Sequence, residues 1–193
     1  MEVKVHIESR SSVDAFLTAK RSLDLARKAK DQLEQEHHCV TGIVFCAFAI
    51  EAMINHFGQI YFDDWNESEA NGGRKASHKR LFNVVGLNGY LGSSNYQKAS
   101  ICFKLRDFFA HGKTEQEAMT INVLGDQDEL EIAWDISSIR SKGFRDISLK
   151  LLSDYVVLAE AIESDIQSVG TYPDNEGVLL NEYPLSINGS RSW

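Results

Sequence analysis

The chain has 193 residues, 43% of them hydrophobic, and a formal net charge of −8. This length suits one domain with a buried core, and the acidic balance argues against loose, nonspecific binding to polyanions. Two prolines, Pro173 and Pro184, leave 1–172 free of the strongest helix breaker.

Three cysteines, Cys39, Cys46 and Cys102, show no CxxC spacing. Reduced, buried thiols in a cytoplasmic compartment are expected. The first ten residues are mostly polar or charged and carry no secretory pattern. The longest apolar run, 43–50, is too short to span a bilayer and stops at Glu51, so no membrane association is expected. Charge is distributed unevenly. The stretch 114–135 holds seven acids and no Lys or Arg, and 151–193 holds seven acids against Arg191 alone, leaving +5 on the remainder. A local basic patch can therefore hold a phosphate in an acidic protein.

A first helix is expected over about 13–36, capped by Ser11, Ser12 or Asp14, with Val13, Phe16, Leu17, Leu23, Ala26 and Leu33 as its apolar stripe. A second, over about 38–62, is apolar in nearly every direction and so central to the fold. Glu51 and Asn55 stand out on it and share a face, four residues apart. They either orient polar groups on a facing helix or form a polar seam inside the bundle. His37 and His38 diverge by about 100° on a helix, and no second ligand pair is suitably spaced, so no metal site is expected there.

The stretch 63–73 is polar, ends in Asn71-Gly72-Gly73 and reads as a loop. A third helix follows over about 75–87, with Arg74, Lys75, His78, Lys79 and Arg80 near its start. This basic cluster suits either phosphate contact or a solvated helix start. A fourth helix is expected over about 95–111. Ser94 and Gln97 read as a capping box, and Gly112 as a left-handed stop. Strands over 118–124 and 129–134 form a small β-hairpin insertion. A fifth helix covers about 146–169, and 170–193 reads as an irregular tail. The expected architecture is mainly α, a bundle of about five helices in a single domain over 1–169.

The fourth helix ends in Leu105-Arg106-Asp107-Phe108-Phe109-Ala110-His111-Gly112-Lys113. Arginine grips phosphate and histidine moves protons near neutral pH. A helical wheel places Ile101, Cys102, Leu105, Phe108 and Phe109 toward the core. Arg106 and His111 then flank a second face containing Phe103, Asp107 and Ala110. A phenylalanine on that face implies a cover, either another helix of the chain or a second copy across a twofold axis. The plain alternative is that Arg106 forms surface salt bridges and His111 interacts with the helix dipole.

The run Arg106-Asp107-Phe108-Phe109-Ala110-His111 resembles the R-x4-6-H signature of the HEPN (higher eukaryotes and prokaryotes nucleotide-binding) superfamily. Asp107 supplies the polar residue usual after the arginine. The apolar second helix, with Ala49-Ile50-Glu51-Ala52 at its centre, is similar as well. The resemblance covers about 13–112 and 146–169. It implies a helical bundle that dimerises through the motif helix, and a metal-independent endoribonuclease of toxin or defence type that needs no cofactor. Arg106 and His111 would be its catalytic pair and Asp107 an auxiliary, with Lys113, Glu51 and Asn55 as auxiliary or binding residues. RNA or a nucleotide, and an antitoxin or other protein, would be its partners. Other members of the superfamily are noncatalytic modules that bind a nucleotide, RNA or protein.

Overall fold

The computed structural model describes residues 5–7, 9–112, 116, 141–186 and 190–192. It is mainly helical, as the sequence suggests. The expected hairpin over 118–134 lies outside the described residues.

Helix α1 (Ser11–Lys28) and helix α2 (Gln32–Tyr61) form a helical hairpin. The first helix stops eight residues earlier than its apolar stripe suggests. The reason is local: Asp31 caps α2 by accepting from the Glu34 N–H at 2.8 Å, and the Glu34 carboxylate accepts from the Lys30 N–H. Leu33, expected on the core stripe of α1, is instead an exposed residue in the first turn of α2.

The long helix α2 is the axis of the fold. Ile43, Ile50, Met53, Ile54 and Phe57 have no solvent exposure, and side chains of this size each contribute about 1.5–3 kcal/mol when buried. Over an eighteen-residue window its mean hydropathy is 1.6, long and apolar enough to cross a membrane by length and composition, although the run 43–50 alone is not. Half of that window is buried inside the fold, as in a core helix.

Helix α3 (Trp65–Val84) begins inside the segment read as a loop. The chain is helical on both sides of Gly73, which interrupts the helix with φ 72° and ψ 162°. Only glycine adopts that conformation without strain. The kink falls immediately before Arg74 and sets where that side chain goes. A 3-10 turn (Tyr90–Gly92) leads to helix α4 (Ser94–His111). The cap of α4 is Ser93, one residue before the expected Ser94: its hydroxyl accepts from the Tyr96 N–H, and Gln97 bonds the Leu91 carbonyl instead of closing a box. Gly112 does end α4, but with φ −26° it is not left-handed.

After the short helix α5 (Lys142–Arg145) comes helix α6 (Leu149–Val169), capped by Ser148, whose stripe Leu152, Tyr155, Ala159, Ile162 and Ile166 packs into the core. The segment expected to be an irregular tail is structured over 170–186. Strands β2 (Thr171–Tyr172) and β3 (Asn175–Leu179) pair antiparallel, and Leu180 and Leu185 are buried. The Leu185 N–H bonds the Glu163 carboxylate, Ser12 donates to the Pro184 carbonyl, and Arg10 pairs with Glu182 at 2.6 Å. Polar groups on α1 and α6 thus hold a segment whose letters show little periodicity. Strands β1 (Val5–Ile7) and β4 (Ser190–Ser192) pair antiparallel.

Candidate functional site

The side of α4 that enters the core differs from the one the wheel suggests. Tyr96, Ala99, Cys102 and Phe103 are buried, whereas Ile101 is 52% exposed. Continuing that stripe by three residues from Phe103 reaches Arg106. Cys102 is buried and Leu105 and Phe109 pack against the core as the wheel suggests, but the fully buried stripe is turned toward Phe103 and runs on through an arginine.

Arg106 is tolerated there because α2 places a carboxylate against it. Arg106 Nη1 donates to Glu51 Oε2 at 2.8 Å and Nη2 to Oε1 at 3.5 Å, while Nε donates to Asp107 Oδ1 at 2.8 Å. The Arg106 side chain is 11% exposed, that of Glu51 18% and that of Asp107 43%. Burial alone would pull the Arg106 pKa down. Hydrogen bonds and charge from Glu51 and Asp107 outweigh it, so the pKa rises and the guanidinium stays charged.

A second arginine closes the cluster. Arg74, placed by the kink at Gly73, donates from Nε to Glu51 Oε1 at 2.6 Å and from Nη1 to Asp107 Oδ2 at 3.3 Å. The arrangement is a four-membered ring of alternating charge with no formal net charge. Both guanidinium groups also lie over aromatic rings: Arg106 at 5.2 Å from Phe48 and Arg74 at 5.0 Å from Phe103. The cover expected over Phe103 is therefore α3 of the same chain, which also brings His78 against that ring.

The sequence-derived candidates divide as follows. Glu51, Arg106 and Asp107 converge. Asn55 does not join them, because its side-chain oxygen accepts from the Trp65 indole N–H at 3.0 Å and ties α2 to α3. Glu51 thus takes the orienting role and Asn55 the structural one. His111 is exposed as the last residue of α4 and makes no hydrogen bond or ion pair with Arg106 among the described residues. Five residues separate them, which on an ideal helix is about 7.5 Å along the axis and 140° around it. One chain does not bring the pair together. Lys113 lies outside the described residues.

Sequence reasoning missed Arg74 as a partner of Glu51, although Gly72-Gly73 before it marked a backbone irregularity. The rest of the basic cluster is dispersed. Arg80 forks onto Asp64 at 2.9 and 3.1 Å and stacks on Phe62, and its hydrogen bonds hold the Asp64 carboxyl below the ordinary value. His78 is buried, with Nδ1 3.0 Å from the Tyr96 hydroxyl. Burial, reinforced by the nearby Arg74 charge, lowers the His78 pKa to about 3, so it is neutral at ordinary pH.

The end of α4 is anchored by aromatic packing. Phe109 lies 4.9 Å from Phe144 of α5, and a Cβ on Gly143 would come within 2.4 Å of the Phe108 ring. This fixes the last turn and leaves Ala110 and His111 on the outside. Among the described residues no group of three or more His, Cys, Asp or Glu is placed to hold a metal ion. Comparison with family models, curated proteins and solved structures finds no match.

Proposed function

We propose that this chain is a HEPN-like helical protein that cleaves RNA without a metal ion, at a site completed by a second copy of itself. The observation that carries the reading is the Glu51–Arg106–Asp107–Arg74 ring, built one and a half turns from an exposed histidine on the same anchored helix. The ring holds two guanidinium groups aimed at low reorganisation cost. Asp107, the most exposed member, yields its place to a phosphate, and Glu51 goes on holding both arginines. A second copy docked along α4 supplies the histidine that Arg106 lacks within its own chain.

In the reaction, one His111 takes the proton of an RNA 2′-hydroxyl. The 2′-oxygen bonds to the adjacent phosphorus, the bond from phosphorus to the 5′-oxygen breaks, and a solvent water protonates that leaving oxygen. Arg106 and Arg74 bear the charge that develops on the phosphoryl oxygens. The products are a 2′,3′-cyclic phosphate and a 5′-hydroxyl. In this reading the protein is a cytoplasmic toxin or defence component, partnered by an antitoxin or other protein. Its three free, buried thiols fit a reducing compartment.

A second reading, a noncatalytic nucleotide-, RNA- or protein-binding module, is favoured by one observation: both arginines are already satisfied by carboxylates, as in a structural ion-pair network. The two separate when RNA is incubated with the protein in excess chelator. Cleavage with cyclic-phosphate ends, lost in His111→Ala, supports the first. RNA binding without cleavage supports the second, and undiminished cleavage in His111→Ala removes the proposed chemistry.

A further inference from the structure

Beside the ring, on the outer side of the α1–α2 hairpin, lies a cleft of about 590 Å³. Phe45 and Phe48 of α2 line it, set edge to face with centroids 5.9 Å apart, together with Asp14 and Thr18 of α1 and Glu51 and Asn55 of α2. Among the described residues its two ionisable lining residues are both acids, and no base lines it. Their circumstances differ. Glu51 is taken up by Arg106 and Arg74. Asp14 is on the exposed side of α1, and no ion pair joins it to a cation among the described residues. Among the described residues the uncompensated charge in the cleft is therefore the Asp14 carboxylate, in a cleft also lined by two phenylalanines.

We infer that this cleft binds a small organic cation, an ammonium or guanidinium group carried on an apolar or aromatic body. Asp14 is the counter-ion, Phe45 and Phe48 form the apolar and π-bearing wall, and the Thr18 hydroxyl and Asn55 amide line the cleft beside them. Aromatic faces attract cations through their quadrupole, and a carboxylate beside such faces selects a cation over a neutral molecule of the same shape. The wall already engages one cation: the Arg106 guanidinium lies over the Phe48 ring. The volume suits a small molecule, since ligand pockets generally span about 300–1,000 Å³. An anion is disfavoured by the Asp14 carboxylate. The inference is independent of the RNA-cleavage reading, because it uses Asp14 and the α1 face and requires neither His111 nor a second copy.

The test is titration of the full chain, followed by amide chemical shifts, with three compounds of one shape. These are 2-phenylethylamine as the cation, 2-phenylethanol as the neutral analogue and phenylacetate as the anion. The expected result is saturable shifts at residues lining the cleft for the amine, with the alcohol at least about tenfold weaker and the anion silent. Asp14→Asn lies on an exposed helix position and should leave the fold intact while weakening the amine about tenfold. Phe45→Leu keeps the apolar volume but removes the ring, and should weaken the amine more than the alcohol. Equal affinity for amine and alcohol, an unchanged constant in Asp14→Asn, shifts confined to other parts of the protein, or no saturation by the amine would each overturn the inference.

Discussion

Replacing Glu51 with alanine removes the carboxylate that holds Arg106 and Arg74 together. Two short charge-assisted hydrogen bonds disappear, at 2.8 Å to Arg106 and 2.6 Å to Arg74. Bonds of this kind contribute about 1.5–3 kcal/mol each, and breaking a fully buried pair costs about 3–5 kcal/mol. Two features reduce the loss here. Asp107 still neutralises part of the charge, and Arg74 has a third of its side chain in water. A destabilisation of about 2–3 kcal/mol results, which at this chain length lowers the melting temperature by roughly 5–10 °C. Urea unfolding of the wild type, Glu51→Ala, Arg106→Ala and the double variant should give a coupling of about 1–3 kcal/mol between Glu51 and Arg106. A loss below about 0.5 kcal/mol with no coupling would refute the view that Glu51 is what allows an arginine in the buried stripe of α4.

Asn55→Ala should cost about 1–2 kcal/mol by leaving the buried Trp65 N–H without its acceptor, and should leave any RNA binding unchanged; urea midpoints and an RNA titration check the two halves. In Gly58→Ala the new methyl would lie 2.3 Å from the Trp65 ring, so overpacking should lower stability by about 1–3 kcal/mol, read from the same unfolding curves. His78 gives a pH dependence of defined sign. Its folded pKa, about 3, lies below its unfolded value, so the unfolded chain binds the extra proton between about pH 3 and 6.5. Stability is fully present above pH 6.5 and is lost as the pH falls through that window. Between pH 7 and pH 5 the wild type should lose about 2 kcal/mol more than His78→Asn, measured by urea unfolding at the two pH values.

Much of the fold could be read from apolar spacing because burial drives helices of this length. The all-round apolarity of 43–57 marks α2 as central, and the stripe from Leu152 to Ile166 marks α6. The misreadings arise where polar contacts decide. Asp31 and Glu34 split a stripe that looks continuous, and Ser93 caps α4 one residue ahead of the serine that pairs better in sequence. The segment 170–186 is ordered by long-range partners such as Glu163 and Arg10, which have no sequence signature near it.

The candidate site shows the same division. Glu51 is visible as a polar residue out of place on an apolar helix, and Arg106 and Asp107 through the arginine–histidine motif. Arg74 is visible only as part of the basic cluster, and its pairing with Glu51 is not, because a kink at Gly73 rather than any helical spacing brings the two together. Phe103 pointed to a covered face, and the cover is α3 of the same chain. The case for a second copy therefore rests on the separation of Arg106 and His111.

That separation allows a direct test by mixing Arg106→Gln with His111→Ala protein and assaying RNA cleavage in chelator. Each variant alone should be inactive. If Arg106 of one copy works with His111 of the other, random mixing restores one intact site in the mixed dimers, about a quarter of wild-type activity. Mixed dimers that form without regaining activity would contradict a site shared between two copies.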